Sequence, residues 1–166
     1  MNISTRNHTI APARKMRGVA LVEFAISVPL LLLLLFGGAE FTNFLMSYSI
    51  LNDAVRDSAR YVAGQALAGQ TGVVVLTVPM TTAAQNLVVY GNIGGSGARL
   101  LRGLNTGQVT VTADVANGNI NVSVAYPYQA LFAGTLPSFG FGGGVSTALT
   151  LNISTTMKAL RNGSAE

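Results

Sequence analysis

An apolar run from Val19 to Ala39 restricts the fold of this chain more than any other feature of its sequence. Glu23 is the only charged residue in the run, and leucine dominates its second half. A helix rises about 1.5 Å per residue, so roughly 20 residues cross the apolar core of a bilayer, which is about 30 Å thick. The run therefore predicts one transmembrane helix over residues 19–39.

The segment before the run, residues 1–18, predicts a flexible, basic leader. Its charged residues are Arg6, Arg14, Lys15 and Arg17. The chain has 10 Lys and Arg residues and 6 Asp and Glu residues, so the cations and anions after the leader balance. Positive residues beside a span stay in the cytoplasm, which places the N-terminus inside and the residues after Ala39 outside. The balanced charge of the remainder gives no support for a nucleic-acid partner.

The helical pattern continues beyond the span. Apolar residues recur there at spacings of three and four, namely Phe41, Phe44, Tyr48, Leu51, Val55, Ala59 and Val62. The charged residues on the opposite face include Arg56 and Arg60. We therefore predict an amphipathic helix over residues 40–68 that packs on a small α/β outer domain, residues 69–166. Arg56 and Arg60 are interpreted as a solvated face that leaves room for a partner contact.

The outer domain carries β-strand signals. A valine-rich stretch predicts a short strand over residues 73–78, and Thr81 or Thr82 is a candidate cap for a short helix that ends near Tyr90. The dipeptide Asn117-Gly118 favours a two-residue type I′ hairpin turn. That turn predicts a register of four pairs on one face: Val115 with Ile120, Ala113 with Val122, Val111 with Val124, and Val109 with Tyr126.

A third strand is predicted by the alternation of apolar and polar residues from Val145 to Ser154, after a long surface loop over residues 127–144. The expected fold class is therefore α+β. A long N-terminal helix, transmembrane first and amphipathic second, packs on a small antiparallel sheet of three or four strands.

Glu23 requires an explanation, because a carboxylate deep in a span costs roughly 2.5 kcal/mol or more. It can extend to the cytoplasmic interface with its apolar stem in the membrane. It can be catalytic, although the span contains no second carboxylate, His or Lys. It can also neutralise a positive group supplied by another copy. The chain alone leaves these three explanations open.

Residues 14–24, with the sequence RKMRGVALVEF, resemble the processing site of the type IV pilin superfamily. The shared pattern is a basic stretch, then Gly18, then a glutamate at the fifth position after the cut. The Glu23-Phe24 pair, the long apolar run and the later segment 55–63 resemble the TadE-like pseudopilins of tight-adherence (Flp-type) pilus systems.

The resemblance implies a minor pseudopilin that takes part in assembly of Flp-type pili for adherence or secretion. It implies cleavage by a prepilin peptidase between Gly18 and Val19, in the bacterial inner membrane. Other pilin or pseudopilin subunits and inner membrane lipid are the implied partners. Cleavage creates an amine on Val19 that can pair with Glu23 of a neighbouring subunit, so that two charges costly in lipid neutralise each other in the assembly.

Two other classes of protein remain as alternatives. The first is a Sec-exported or signal-anchored protein with a small β-rich outer domain and no pilus role, cut near Gly37-Gly38-Ala39, although the apolar run exceeds the usual 7 to 15 residues of a signal core. The second is an enzyme. The outer domain has one Asp and no His, and the chain has no Cys, so no acid-base or nucleophile pair is recognisable. We expect no catalytic residue, no metal, no cofactor and no small-molecule ligand.

Overall fold

The structure is a computed structural model that describes residues 16–67, 73–132, 135–136, 143, 145–146 and 148–159. Most of the predicted leader, residues 1–15, lies outside the described residues. The helices and strands are α1 (Met16–Gln65), α2 (Val78–Tyr90), β1 (Val109–Asp114), β2 (Asn119–Pro127), β3 (Thr135–Leu136), β4 (Val145–Ser146) and β5 (Thr150–Lys158), with a 3-10 turn at Thr106–Gln108. The predicted α+β class is confirmed, because the long helix packs on a three-stranded antiparallel sheet.

Helix α1 is continuous through the predicted span and into the domain. It passes Pro29 without ending, and the Ser27 hydroxyl donates a hydrogen bond of 2.8 Å to the carbonyl of Glu23. Its first half is apolar and long enough to cross a membrane, and the rest of the described chain buries none of its most apolar stretch. The 50 residues of the helix extend about 75 Å, so only part of it fits within a bilayer.

The second half of α1 packs on the sheet and on α2. Leu51, Val55, Ala59 and Val62 are fully buried there, as predicted. Phe41 and Tyr48 were predicted on the same face, and that prediction is wrong, because they are 62% and 46% exposed. Near Phe41 and Tyr48 the buried face instead presents the polar side chains of Glu40 and Ser47, and Ser58 is buried further along the helix. Each of them makes hydrogen bonds that allow it to be buried. The sequence prediction assigned polar residues to the exposed face, and for this reason it was wrong here.

Helix α2 begins earlier than the sequence suggested. The Thr77 hydroxyl accepts a hydrogen bond from the amide of Met80, and Pro79 in the first turn has no amide hydrogen to leave unpaired. The predicted strand over residues 73–78 is wrong, because Val74 makes only an isolated bridge with Leu67 before the helix starts. The C-terminal end is at Tyr90 as expected, followed by Gly91 with a positive φ of 72°.

The β1–β2 hairpin has a different register from the predicted one. Its pairs are Ala113 with Ile120, Val111 with Val122, and Val109 with Val124, a shift of two residues along β1. The Asp114 carboxylate accepts hydrogen bonds from the amide and the side chain of Asn117, which closes a four-residue loop. The same bonds hold the pKa of Asp114 below its usual value. A shift of two residues leaves the side chains that stay in the strands on their predicted faces, but Val115 moves into the loop and is 58% exposed.

Strand β5 completes the sheet, whose order is β1-β2-β5. Leu151 and Ile153 are buried opposite Tyr126 and Val124, so the predicted inner face is correct at these positions. Val145 lies elsewhere, since β4 pairs with β3 in a separate two-stranded sheet. The predicted surface loop over residues 127–144 is therefore wrong in part. It contains β3 and the buried ring of Tyr128.

Candidate assembly segment and the buried Glu40

The segment around the predicted cleavage point forms the beginning of α1. The bond between Gly18 and Val19 lies in the first turn of the helix, where few intrahelical hydrogen bonds hold the backbone. A Cβ atom at Gly18 would meet nothing within 4 Å, so the intact chain does not require glycine there for packing. The described part of the chain therefore gives no packing reason for a glycine at this position.

Val19 and Glu23 lie one helical turn apart on the same face of α1, because residues four apart are neighbours on a helix surface. They border an open groove along the helix together with Gly18, Val22 and Ile26. Both side chains are exposed, and so is Phe24. Among the residues whose side chains the structure describes, none donates a hydrogen bond to the Glu23 carboxylate. The structure thus places Val19 and Glu23 on one exposed face of α1, and their pairing between subunits stays a prediction.

Arg56 and Arg60 lie on the exposed face of the packed half of α1. Asp53 and Asp57 share that face and line a shallow groove against Leu87 of α2. Cations and anions alternate here, which is typical of a solvated helix face. A contact of either arginine with a partner stays a prediction.

Glu40 is the residue that the sequence reasoning missed. Its side chain is only 5% exposed, at the point where α1 leaves the predicted span. The carboxylate accepts hydrogen bonds from the Tyr128 hydroxyl at 2.6 Å, the Leu131 amide at 3.0 Å and the Phe132 amide at 3.3 Å. Glu40 therefore joins the helix to a turn of the outer domain, residues 128–132, which we call the capture turn.

Two aromatic contacts reinforce the capture turn. The rings of Phe44 and Tyr128 meet edge to face with centroids 5.4 Å apart, and those of Phe36 and Phe132 do so at 4.9 Å. The Asn43 side chain donates a further hydrogen bond of 2.6 Å to the Tyr128 hydroxyl oxygen. Polar and apolar contacts thus hold the capture turn against a stretch of α1 about two helical turns long.

Burial, the main cause, and the hydrogen bond to Glu40 together raise the pKa of Tyr128 to about 12. The phenol consequently stays protonated and remains a donor to the carboxylate. One sequence signal points to this arrangement. Glu40 is the only charged residue between Glu23 and Asp53, and it directly follows the apolar run. The sequence analysis began the amphipathic helix at this position and assigned no role to Glu40.

A bare apolar helix that continues into a small packed sheet is the architecture of a membrane-anchored α+β protein. Within that class, residues 18–60 match the family model described as TadE-like protein. The resemblance drawn from the sequence is confirmed over this segment, which begins at Gly18 and includes both Glu23 and Glu40. The match is consistent with a TadE-like protein of the Tad pilus system over these residues. No curated protein and no solved structure matches the chain.

Proposed function

We propose that this chain is a minor pseudopilin of the Tad (Flp-type) pilus system, processed by prepilin peptidase and assembled with other pilin subunits for adherence or secretion. The observation that carries the proposal is the TadE-like match from Gly18 onward, over a helix whose most apolar stretch no described part of the chain buries. That stretch offers most of its surface to lipid before assembly and to neighbouring helices after it.

Processing is the first step of the proposed role. Hydrolysis of the Gly18–Val19 bond adds water across the amide, leaving a carboxylate on the leader and an amine on Val19. Gly18 has no side chain to obstruct the peptidase, and the bond lies in the weakly held first turn. The cut also removes the leader cations, whose desolvation would oppose the packing of helices into a bundle.

Assembly follows from the charge that processing creates. The Val19 amine of one subunit and the Glu23 carboxylate of its neighbour would neutralise each other in an environment where either alone is costly. Because the two groups stand one turn apart on α1, a pair between subunits sets their axial offset to about 6 Å, the rise of four residues. Arg56 and Arg60 lie on the exposed face of the packed half and are candidates for a second contact.

The Sec-exported form of the alternative requires a cut after Ala39, whereas a signal-anchored chain would keep an intact Met1. Helix α1 continues without a break through that position, and the next residue, Glu40, is buried in contacts with the capture turn. These observations favour the cut at Gly18.

The experiment that tests the proposal is mass spectrometry of the mature N-terminus in cells that carry a Tad system. We expect Val19 as the first residue in the native chain and a retained leader in Gly18→Val. Gly37→Val is the matched control, because a Cβ atom at Gly37 also meets nothing within 4 Å. An intact Met1 in the native chain, a start at Glu40, or normal processing of Gly18→Val would contradict the proposal.

A further inference from the structure

We infer that the capture turn is a second membrane contact of this protein: Leu131 inserts among the lipids of the outer leaflet while Glu40 holds the turn against α1. This inference concerns any state in which α1 spans a bilayer. It therefore goes beyond the proposed role in the pilus and does not depend on processing.

The first argument is the level at which the turn lies. The ring of Phe132 packs on the ring of Phe36, with centroids 4.9 Å apart. Phe36 precedes the end of the apolar run at Ala39 by about 5 Å along the helix axis. Phe132 belongs to the outer domain, yet it contacts the span itself. The edge of the domain nearest the membrane is therefore level with the outer end of the span.

The second argument concerns backbone donors. An unpaired amide in hydrocarbon is costly, so irregular backbone enters a membrane only where its polar groups are already satisfied. The amides of Leu131 and Phe132 both donate to the Glu40 carboxylate. The amide of Tyr128 donates to the carbonyl of Leu149 at 2.8 Å. The turn thus brings these donors to the membrane boundary already paired, and three donors surround the Glu40 carboxylate there.

The third argument is the apolar surface that remains. Leu131 is 58% exposed at the tip of the turn. On α1, Phe41 and Leu45 are also exposed just past Glu40, so apolar surface continues around this level. Residues 127–132 contain no charged side chain. Exposed apolar surface that is continuous with a membrane span fits lipid as its covering partner, rather than water.

The absence of cysteine from the sequence allows a direct test, since one introduced thiol is the only labelling site. The full chain carrying Leu131→Cys is labelled with a bimane fluorophore and placed in nanodiscs at one chain per disc. Quenching by phosphatidylcholine brominated near the top of its acyl chains reports lipid contact. The matched control is Val115→Cys in the β1–β2 loop, because Val115 is also 58% exposed. Strand β2 separates the two positions by about 30 Å.

We expect brominated lipid to reduce the emission of the label at position 131 at least twofold and to leave the label at position 115 unchanged. Equal emission changes at the two positions would overturn the inference. A label at position 131 that is shielded from water-soluble iodide yet insensitive to brominated lipid would also overturn it, because protein would then cover the turn.

A second variant tests the role of Glu40. Glu40→Gln keeps the shape of the side chain but replaces one acceptor oxygen with a donor that opposes the amides of the turn. With the label at position 131, we expect this change to remove at least half of the lipid quenching. Unchanged quenching would show that Glu40 does not hold the turn at the membrane. The uncleaved chain is used throughout, so failure here is distinguishable from failure of the pilus role.

Discussion

Glu23 and Glu40 lie on the same helix, and their surroundings differ completely. Glu23 stands near the exposed beginning of α1, and no described side chain donates a hydrogen bond to its carboxylate. Glu40 stands about 25 Å further along, where three donors from a distant turn surround it. The difference separates two uses of an acidic residue in an apolar helix. A carboxylate satisfied within its own chain serves the fold, and one left unsatisfied is available to a second molecule.

The largest expected effect on the free energy of unfolding comes from removing the carboxylate of Glu40. Glu40→Ala leaves a buried phenol and two amides without their acceptor, and we expect a loss of about 3 kcal/mol in the free energy of unfolding. Urea unfolding in detergent micelles, followed by circular dichroism of the sheet, measures it. The matched control is Glu23→Ala, which should change the free energy of unfolding by less than about 0.5 kcal/mol. Equal losses in the two variants would remove the distinction between the two glutamates.

The next largest effect should come from alkaline pH, which weakens the hydrogen bond between Tyr128 and Glu40. The pKa of Tyr128 is about 12 in the folded chain, above the ordinary value of about 10. The protonated phenol therefore contributes stability that is complete below pH 10 and is lost as the pH rises from 10 through 12. Across that interval the native chain should lose about 2 kcal/mol more than Tyr128→Phe, which has no phenol to ionise.

The measurement is the free energy of unfolding of both chains at several pH values. Tyr126, whose pKa burial also raises, is present in both chains, so the difference between them isolates Tyr128. Parallel curves for the two chains would show that the Tyr128 phenol does not resist ionisation in the fold.

The unsatisfied carboxylate should matter for assembly rather than for folding. We expect Glu23→Ala to be processed normally and to enter pili about tenfold less than the native chain, because about 1.4 kcal/mol of contact energy corresponds to that factor. Immunoblots of sheared pili and of membranes give the ratio. Glu23→Gln tests the charge alone. Full incorporation of both variants would show that the proposed pair with the Val19 amine is unnecessary.

The sequence predicted the parts of the fold that depend on short-range periodicity. The span, the buried row from Leu51 to Val62 and the inward faces of β2 and β5 follow from spacings of two, three and four residues. It did not predict the hairpin register, because a side-chain bond from Asn117 to Asp114 enlarges a loop for which Asn-Gly suggested two residues.

The role of Glu40 escaped prediction for a different reason. Its phenol partner, Tyr128, is 88 residues away in sequence, and no local pattern joins the two. Glu40 is a polar residue on the buried face, where the expected pattern places apolar residues. The prediction therefore assigned Phe41 and Tyr48 to the core instead. The same limit applied to the capture turn, which the sequence interpretation assigned to a surface loop.

The unbroken course of α1 from the span into the domain has a rotational consequence. A helix turns about 100° per residue. Because α1 is continuous, the direction in which Glu23 points around the helix axis is fixed relative to the sheet. One residue inserted between the two glutamates would swing the domain by about 100° around the axis, whereas seven would return it almost to its starting direction. In the proposed assembly, a contact made by Glu23 would therefore also determine which side of the domain faces the neighbouring subunit.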